Sequence, residues 1–329
     1  MRRSRRIRTG TGVLIALGAL IATALQAGQA GAAAPPVAVH DAAKSRAAQE
    51  RTAEFWTPER MRSAEPLDLL EAGPGEVTAD VPRGTKQTVA PTRKATGPAD
   101  VQSFPQPGGA WTGGGDVVTT SGRVFFTYGG RTASCSGNAV TSANGSTVMT
   151  AGHCVKLDGA WHTDWVFVPA YDNGRAPYGT WAATQTMSTP QWAASEDINY
   201  DVGAAVVAPL NGQRLTDTVG AQGLAFNTGY NVDMYAFGFP AADPYDGSKL
   251  IYCSGTTYQD FLLSSDHGMA CDMTGGASGG PWFTSFDEAG GTGLQSSVNS
   301  FKYNFLPDAM YGPYFGADAQ NLYNTAQSS

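Results

Sequence analysis

The serine best placed for chemistry in this 329-residue chain is Ser278, which lies in a run of small residues. A serine hydroxyl is a weak nucleophile, so it needs a base to take its proton and N–H donors to hold the developing oxyanion. The flanking glycines let the backbone turn tightly and direct the N–H groups of Gly276 and Ser278 toward one point. We therefore predict a nucleophile at Ser278 and an oxyanion hole at these two groups. A flexible turn would explain the run equally well if no other motif accompanied it. The run is Thr274-Gly275-Gly276-Ala277-Ser278-Gly279-Gly280-Pro281-Trp282.

Few side chains could act as the base, because the chain has only four histidines, at positions 40, 153, 162 and 267. We place His153 at a strand end, beside a cysteine and among small residues that leave its ring room. His162 and His267 lack such surroundings and are expected to be structural. His40 lies in a segment that we expect to be removed. The motif around the candidate base is Met149-Thr150-Ala151-Gly152-His153-Cys154.

The order of these residues along the chain limits the possible kinds of serine hydrolase. Ser278 also fits the G-x-S-x-G turn of α/β-hydrolases, but that family places its histidine after the serine, and no histidine follows His267. An acid that precedes His153 has no supporting context. The order His, Asp, Ser requires an acid between them. Asp201 opens an apolar run that would bury its carboxylate, whereas the alternative, Asp197, lacks that context.

Short β-rich runs bounded by Gly, Asn, Asp and Pro follow one another from Asp116 onward. Because no amphipathic helix separates them, they predict an all-β protein, as an antiparallel barrel or sandwich. Only Asp318–Thr325 has the pattern of a helix. The candidate strands are Val124–Tyr128, Gly137–Val140, Thr147–Thr150, Trp165–Val168, Val202–Val207, Val232–Phe237, Leu250–Cys253, Gly268–Cys271, Pro281–Thr284 and Gln295–Val298.

The four cysteines predict two disulfides. Of the three possible connectivities, neighbourhood along the chain favours Cys135 with Cys154 and Cys253 with Cys271. Disulfides are the usual fate of cysteines in an exported protein, and no CxxC pattern suggests a zinc site. We therefore expect no metal and no organic cofactor.

The N-terminus predicts export. Five arginines within residues 2–8 precede an apolar run at 13–25, and the small residues Ala30-Gly31-Ala32 follow. This order is typical of a secretory signal peptide, which we place at residues 1–32. A transmembrane anchor is the alternative, but a 13-residue run falls short of the roughly 20 residues that span a bilayer.

Residues 33–111 differ from the rest of the chain. From residue 33 to about residue 109 they are rich in Ala, Pro, Thr and charges of both signs, contain no cysteine, and show little alternation, so we expect this stretch to lie outside the β-structure. We interpret them as a propeptide with a linker at 98–115, or as an extension that stays attached. Residues 1–111 hold 14 of the 21 basic and 10 of the 28 acidic residues, which leaves 112–329 with a net charge of −11. Such an acidic surface excludes nucleic acid as a partner.

Three motifs resemble those of the chymotrypsin-like serine peptidases, and they occur in that family's order. They are Thr150-Ala151-Gly152-His153-Cys154, Asp201-Val202-Gly203 and Gly276-Ala277-Ser278-Gly279-Gly280-Pro281. Cys135 and Cys154 resemble the bridge that closes the family's histidine loop. The resemblance extends from about residue 117 to the end, where 312–325 resembles the family's last strand and C-terminal helix.

The resemblance implies two six-stranded antiparallel β-barrels, at about 112–215 and 216–329, with a C-terminal helix and an active site in the cleft between the barrels. His153 would be the general base, Asp201 its orienting acid, and Ser278 the nucleophile that forms an acyl-enzyme. We therefore expect a secreted, monomeric serine endopeptidase that acts on proteins or peptides and is no longer attached to a membrane after signal removal.

Ala277 departs from animal members of the family, which carry an aspartate there to receive the freed N-terminus. Activation by an inserted N-terminus is therefore not expected, and the motif is more similar to the bacterial glutamyl endopeptidase-like branch. We hypothesise that the chain's own propeptide masks the cleft or assists folding.

Specificity is predicted from Asp272, which has the spacing of the pocket carboxylate that selects Arg or Lys in trypsin-like members. In the glutamyl branch, however, an aspartate near this position need not line the pocket. The expected pocket wall at Val298, Asn299 and Ser300 lacks the family's usual Trp-Gly. No histidine follows Ser278 to bind a substrate carboxylate, so we expect a basic or broad preference.

A secreted, non-catalytic β-barrel with an idle triad is the alternative function. Four tryptophans could stack on sugars in such a protein, although tryptophan more often belongs to a core. They are Trp161, Trp165, Trp181 and Trp192.

Overall fold

The computed structural model describes residues 36–72, 81–92 and 102–329. The predicted signal peptide lies outside these ranges. The elements of the N-terminal stretch are β1 (Ala38–Asp41), α1 (Arg46–Phe55), α2 (Pro58–Ser63), β2 (Glu65–Pro66), β3 (Leu70–Ala72), β4 (Gln87–Val89) and β5 (Gln106–Ala110). The next elements are α3 (Asp116–Thr120), β6 (Ser121–Tyr128), β7 (Arg131–Ala139), β8 (Thr147–Thr150), β9 (Lys156–Leu157), β10 (Ala160–Trp161), β11 (Thr163–Pro169), β12 (Trp181–Ser188), α4 (Pro190–Ser195), β13 (Gly203–Val207) and α5 (Leu215–Val219). The last are β14 (Gly223–Phe226), β15 (Asp233–Gly238), β16 (Ile251–Thr256), β17 (Tyr258–Gln259), β18 (His267–Ala270), β19 (Pro281–Asp287), β20 (Thr292–Val298), β21 (Phe301–Tyr303), β22 (Leu306–Gly312) and α6 (Ala317–Gln327).

The predicted fold class is confirmed: the described chain is mainly β-structure and ends in the predicted helix. Each of the ten candidate strands overlaps a strand of the structure, and Thr147–Thr150 coincides with β8. After residue 111 the pattern missed β12, β14, β21, most of β22 and the two-residue strands β9, β10 and β17. None of the helices in the described ranges is long and apolar enough to cross a membrane.

Six antiparallel strands form a closed barrel in the first half. They follow the order β12, β11, β6, β7, β8 and β13, and pairing of β13 with β12 closes the ring. Every residue of β8 and β13 is buried, because both faces of these strands are covered. Two candidate catalytic residues lie at adjoining ends of this pair: His153 follows β8, and Asp201 precedes β13.

The second half holds its strands in two sheets. One sheet contains β14, β20, β19, β15 and β16, and the other contains β17, β18, β22 and β21. The Cys253–Cys271 disulfide connects them, since Cys253 lies in β16 and Cys271 directly follows β18. Helix α6 packs against the first half, where Leu322 and Tyr323 join the barrel core.

The expectation that residues 33–109 lie outside the β-structure is wrong. β1 pairs with β12, β2 with β7, β3 with β21, β4 with β14, and β5 with β16. The linker prediction for 98–115 also fails over its described part, because β5 is a paired strand and Trp111 is buried against Phe237 and Tyr252. Strands this short bond to the edges of existing sheets through their backbones, so they need no alternation of side chains.

The two helices of the N-terminal stretch were not predicted, although both begin at recognisable caps. The side chain of Ser45 accepts a hydrogen bond from the Ala48 N–H at the start of α1, and Thr57 caps α2 in the same way. Trp56, between the helices, is buried and donates a hydrogen bond from Nε1 to the Asp164 carbonyl (2.6 Å). The helices are therefore fixed to the outside of the barrel.

Candidate active site

The position of His153 is fixed by a one-turn helix at Gly152–Cys154 that follows β8. Cys154 is bonded to Cys135 of β7, so the predicted pairing is confirmed and ties this turn to the neighbouring strand. Only glycine fits before the histidine, because a Cβ atom at Gly152 would lie 2.7 Å from Trp192 Cδ1 and 2.9 Å from Asp201 Oδ1. The turn therefore presses the histidine against the acid predicted to orient it.

Asp201 receives three hydrogen bonds, two of them from His153. The His153 backbone N–H donates to Oδ1 (2.7 Å), and the ring Nδ1 lies 2.7 Å from Oδ2. The Ser300 hydroxyl also donates to Oδ2 (2.6 Å). A carboxylate at Nδ1 holds the proton on that nitrogen and leaves Nε2 as an acceptor. The pair is completely buried, so water does not compete for these bonds.

Ser278 is held against the same two strands that position His153. Its carbonyl accepts a hydrogen bond from the Ser136 N–H of β7 (2.7 Å). The Ser136 hydroxyl donates to the Gly276 carbonyl (2.9 Å), and the Thr150 hydroxyl donates to the Ser136 carbonyl (2.8 Å). Because Thr150 ends β8, these bonds join the serine loop to the strand that leads to His153.

The two atoms that a proton transfer would use are both buried. His153 Nε2 and Ser278 Oγ have no hydrogen-bond partner among the described residues. Buried polar atoms are normally paired, so unpaired ones need an explanation such as a catalytic role.

Asn299 supports the serine loop from the other side. Its Nδ2 donates to the Phe237 and Ala277 carbonyls, each at 2.9 Å, and its Oδ1 accepts from Trp282 Nε1 at 2.7 Å. The side chain is fully buried. Both polar atoms of the Asn299 side chain are therefore paired, and one of its bonds holds the carbonyl of Ala277, the residue before Ser278.

Comparisons with known proteins find proteases of similar sequence and fold. The protease Anisep from Arthrobacter nicotinovorans is 46% identical, with a TM-score of 0.61 over 64% of this chain and 96% of that one. The thermostable serine protease AL20, from an extremophilic microorganism, is 41% identical, with a TM-score of 0.62 over 65% of this chain and 99% of that one. The chain belongs to the chymotrypsin-like serine peptidase family.

Two further proteins are similar to the chain at lower sequence identity. A Glu endopeptidase is 16% identical, with a TM-score of 0.55 over 68% of this chain and 97% of that one, and shares the fold. A protein named extracellular metalloprotease from Bacillus subtilis (strain 168) is 31% identical over 177 residues, which is 51% of each chain. The chain thus matches about half the length of that curated relative. No family model matches the chain.

The predicted specificity residue of this peptidase family member, Asp272, lies at the surface and is already engaged. Its Oδ1 accepts a hydrogen bond from the Tyr245 hydroxyl (2.6 Å), and its backbone N–H donates to the Pro107 carbonyl (2.8 Å). A Cβ atom at Gly108 would lie 1.8 Å from Oδ1, so β5 covers the carboxylate closely. The predicted basic or broad preference stays a prediction.

Lys302 is a charged neighbour of this region that the sequence did not indicate. Its Nζ donates to the carbonyls of Cys271 (2.9 Å) and Pro307 (2.5 Å). Burial lowers the pKa of Lys302 to about 8, and the carboxylates of Asp272 and Asp308 act in the opposite direction. Asp272 and Lys302 are therefore near enough for their charges to interact.

The other predicted pocket residues have structural roles in the described chain. Val298 is part of the barrel core, and Asn299 positions the serine loop. The Ser300 hydroxyl donates a hydrogen bond to Asp201, so this residue belongs to the surroundings of the candidate acid. The sequence predicts Ser300 near the site but does not indicate this bond, and no local pattern marks Ser136.

Cys135, His153 and Cys154 bring potential metal-ligand atoms within 4.8 Å of one another. The two sulfur atoms are joined as a disulfide, so they are not thiolates that could bind a metal. These three residues therefore do not fit a metal centre.

Proposed function

We propose that the protein is a secreted serine endopeptidase that uses His153, Asp201 and Ser278 as its catalytic triad. The observation that carries the proposal is the double hydrogen bond from His153 to the buried carboxylate of Asp201. This bond fixes both the tautomer and the orientation of the ring, which is the role of the acid in a Ser-His-Asp triad. The attachment of the Ser278 loop to β7 and to the end of β8 supports the same assignment.

In the proposed reaction, His153 Nε2 takes the proton of Ser278 Oγ as that oxygen attacks the substrate carbonyl. The N–H groups of Gly276 and Ser278 stabilise the oxyanion. The imidazolium then gives its proton to the leaving amine, and an acyl-enzyme remains on Ser278. Water, activated by the same nitrogen, releases the acid and restores the serine.

A metal-dependent mechanism has to be considered, because the Bacillus subtilis relative is named a metalloprotease. Among the described residues, the one group with metal-ligand spacing contains the disulfide of Cys135 and Cys154. Its third member, His153, already uses Nδ1 to bind Asp201. The side chains at this site therefore support serine chemistry.

The non-catalytic alternative depended on exposed tryptophans. Trp165, Trp181 and Trp192 are buried, and Trp161 is half-buried and stacked on His40. The alternative therefore loses the aromatic surface that motivated it.

Export, processing and a monomeric state complete the proposal. Two disulfides favour an oxidising compartment. We assign 1–32 to a signal peptide, 33–111 to a propeptide and linker, and 112–329 to the catalytic domain. Sequencing the N-terminus of the secreted protein would test these boundaries.

The decisive experiment compares the secreted enzyme with Ser278→Ala and His153→Ala variants. Each variant should lose at least a thousandfold in peptide hydrolysis, since triad members act as a unit. A fluorophosphonate should label the parent at Ser278 and leave the alanine variant unlabelled. Retained hydrolysis in Ser278→Ala that a metal chelator abolishes would instead support a metalloprotease.

A further inference from the structure

Residues 65–72, here called the cleft segment, pass directly over the proposed active site. The segment begins as β2, which pairs with Ala133 and Ser134 of β7 in the first half. It ends as β3, which pairs with Phe301–Tyr303 of the second half. Both pairings are parallel. One short stretch of the predicted propeptide therefore bridges the two halves.

The middle of the cleft segment bonds to the groups that a substrate would need. The Leu67 N–H donates to the Ser134 carbonyl (2.9 Å), and the Leu70 N–H donates to the Ser300 carbonyl (3.2 Å). Between them, the Leu67 carbonyl accepts a hydrogen bond from the Gly276 N–H (2.8 Å). One of the two proposed oxyanion donors is thus occupied.

Side chains of the segment fill the space beside the serine loop. Asp68 lies against Gly275, where an added Cβ atom would be 3.0 Å from its Oδ1. Leu69 is only 9% exposed and belongs to the buried cluster that contains Met273 and Ala277, on either side of that loop's glycines. This packing leaves no room for a substrate residue at the same place.

The direction of the cleft segment is opposite to that of a productive substrate. Acylation requires the C-terminal half of a substrate, which carries the leaving amine, to lie on the side of His153. The acyl half must then lie on the side of the pocket predicted at Asp272 and Ser300. In the cleft segment, the N-terminal half lies on β7, which is joined to the histidine turn through Cys135, and the C-terminal half lies beyond Ser300.

We propose that the cleft segment is a built-in inhibitor that binds the active site in reverse. Its Leu67 carbonyl engages Gly276, but the following nitrogen, of Asp68, leads toward the second half and away from His153. The imidazole of His153 could not protonate the Asp68 nitrogen as a leaving group. The site therefore does not hydrolyse the Leu67–Asp68 peptide bond that covers it. The proposal rests on the proposed function, because it takes Ser278 as the nucleophile and His153 as its acid.

The segment is held in place by the elements before it. Trp56 and Met61 are buried in a cluster with Phe125 and Val166 on the outside of the barrel. Glu65 forms an ion pair with Arg131 (2.7 Å) at the exposed start of β2. The active site becomes free only when residues 56–72 detach from the barrel together, or when the chain is cut outside the cleft segment.

Cysteine pairs in the full chain test the direction of the segment without using its activity. The background carries Ser278→Ala, so that the chain cannot process itself. The structure pairs Glu65 with Ala133 and Glu71 with Lys302, so cysteines at each pair should form a disulfide. The crossed combinations, 65 with 302 and 71 with 133, use the same four substitutions as matched controls and should not link.

Peptide mapping of the non-reduced protein by mass spectrometry shows which cysteine pairs have formed disulfides. Links in the crossed combinations would show a substrate-like direction and overturn the proposal. Absence of links in all four combinations would place the segment outside the cleft and overturn it as well. Neither outcome depends on Ser278 being a nucleophile, so failure here is distinct from failure of the proposed function.

A second measurement tests inhibition in the full chain that retains Ser278. With Glu71→Cys and Lys302→Cys linked, labelling of Ser278 by a fluorophosphonate should be at least tenfold slower than after mild reduction. The unmodified chain, treated with the same reductant, controls for effects on the native disulfides. Labelling before and after reduction that is as fast as in the secreted, processed enzyme would show that the segment does not block the site, whereas failure to label that processed enzyme would count against the proposed function.

Discussion

The Ser300 hydroxyl and the His153 ring bind the same oxygen of Asp201, Oδ2. A buried carboxylate that loses one donor is less stabilised, by about 1–2 kcal/mol. We expect Ser300→Ala to lower kcat of the processed enzyme by about 5- to 30-fold, because Asp201 then stabilises the imidazolium less well. Steady-state kinetics over a range of pH would measure this effect.

The matched control for this prediction is Ser297→Ala. Ser297 is equally buried, but its hydroxyl donates to the Pro313 carbonyl (2.9 Å) instead of to Asp201. This variant should keep kcat within about threefold of the parent. If both variants lose the same activity, the bond to Asp201 has no specific role.

The two disulfides close loops of nearly equal length, with separations of 19 and 18 residues. The chain-entropy model assigns each a contribution of about 3 kcal/mol. Replacing either pair by alanine should therefore lower the free energy of unfolding similarly. Only loss of Cys135–Cys154 should also lower kcat, by tenfold or more, since that bond holds the turn of His153.

Chemical denaturation and kinetics on the two double variants would separate these effects. Equal losses of kcat would indicate that the Cys135–Cys154 bond stabilises the fold without positioning the histidine.

Gly279 and Gly159 have nearly the same positive φ, 77° and 75°, in different surroundings. A Cβ atom at Gly279 would lie 2.1 Å from Thr150 Oγ1, whereas nothing lies within 4 Å of one at Gly159. We expect Gly279→Ala to abolish hydrolysis, because the serine loop must leave β8. Gly159→Ala shares the backbone strain, about 1 kcal/mol, and should retain activity. Similar activities in the two variants would show that the contact with Thr150 is unimportant.

The proposed triad can be read from the sequence because each of its members carries a local signature. Ser278 has glycines on both sides, His153 precedes a cysteine, and Asp201 opens a buried strand. Ser136 and Asn299 could not be predicted, since their roles arise from bonds to residues far away in the chain, such as Gly276 and Phe237.

Five of the six strands of the closed barrel were also visible in the sequence, but β12 and the strands of residues 36–110 were not. A central strand must alternate or be apolar, because its side chains fill a core. The cleft segment instead bonds through its backbone to β7 and β21, and such bonds leave little trace in the choice of side chains. Its reversed direction follows from the tertiary structure alone.

Asp266 and Asp260 are buried acids with opposite surroundings. Asp260 accepts hydrogen bonds from the N–H groups of Leu262 (2.9 Å) and Ser264 (3.0 Å) and from the Tyr303 hydroxyl. For Asp266, burial raises the pKa well above its usual value, and the nearby carboxylates of Asp260, Asp201 and Asp197 raise it further.

The raised pKa of Asp266 predicts how stability changes with pH. As pH rises above about 4, the unfolded chain ionises Asp266 while the folded chain keeps its proton, so the folded state loses up to about 1.4 kcal/mol per pH unit. Asp266→Asn, which cannot ionise, should match its parent near pH 4 and become the more stable of the two as the pH rises to 8. Asp260→Asn should be less stable than its parent at neutral pH, because it weakens satisfied bonds. Urea denaturation from pH 4 to 8, in a Ser278→Ala background that prevents autolysis, would measure both differences, and a pH-independent difference for Asp266→Asn would contradict the assignment.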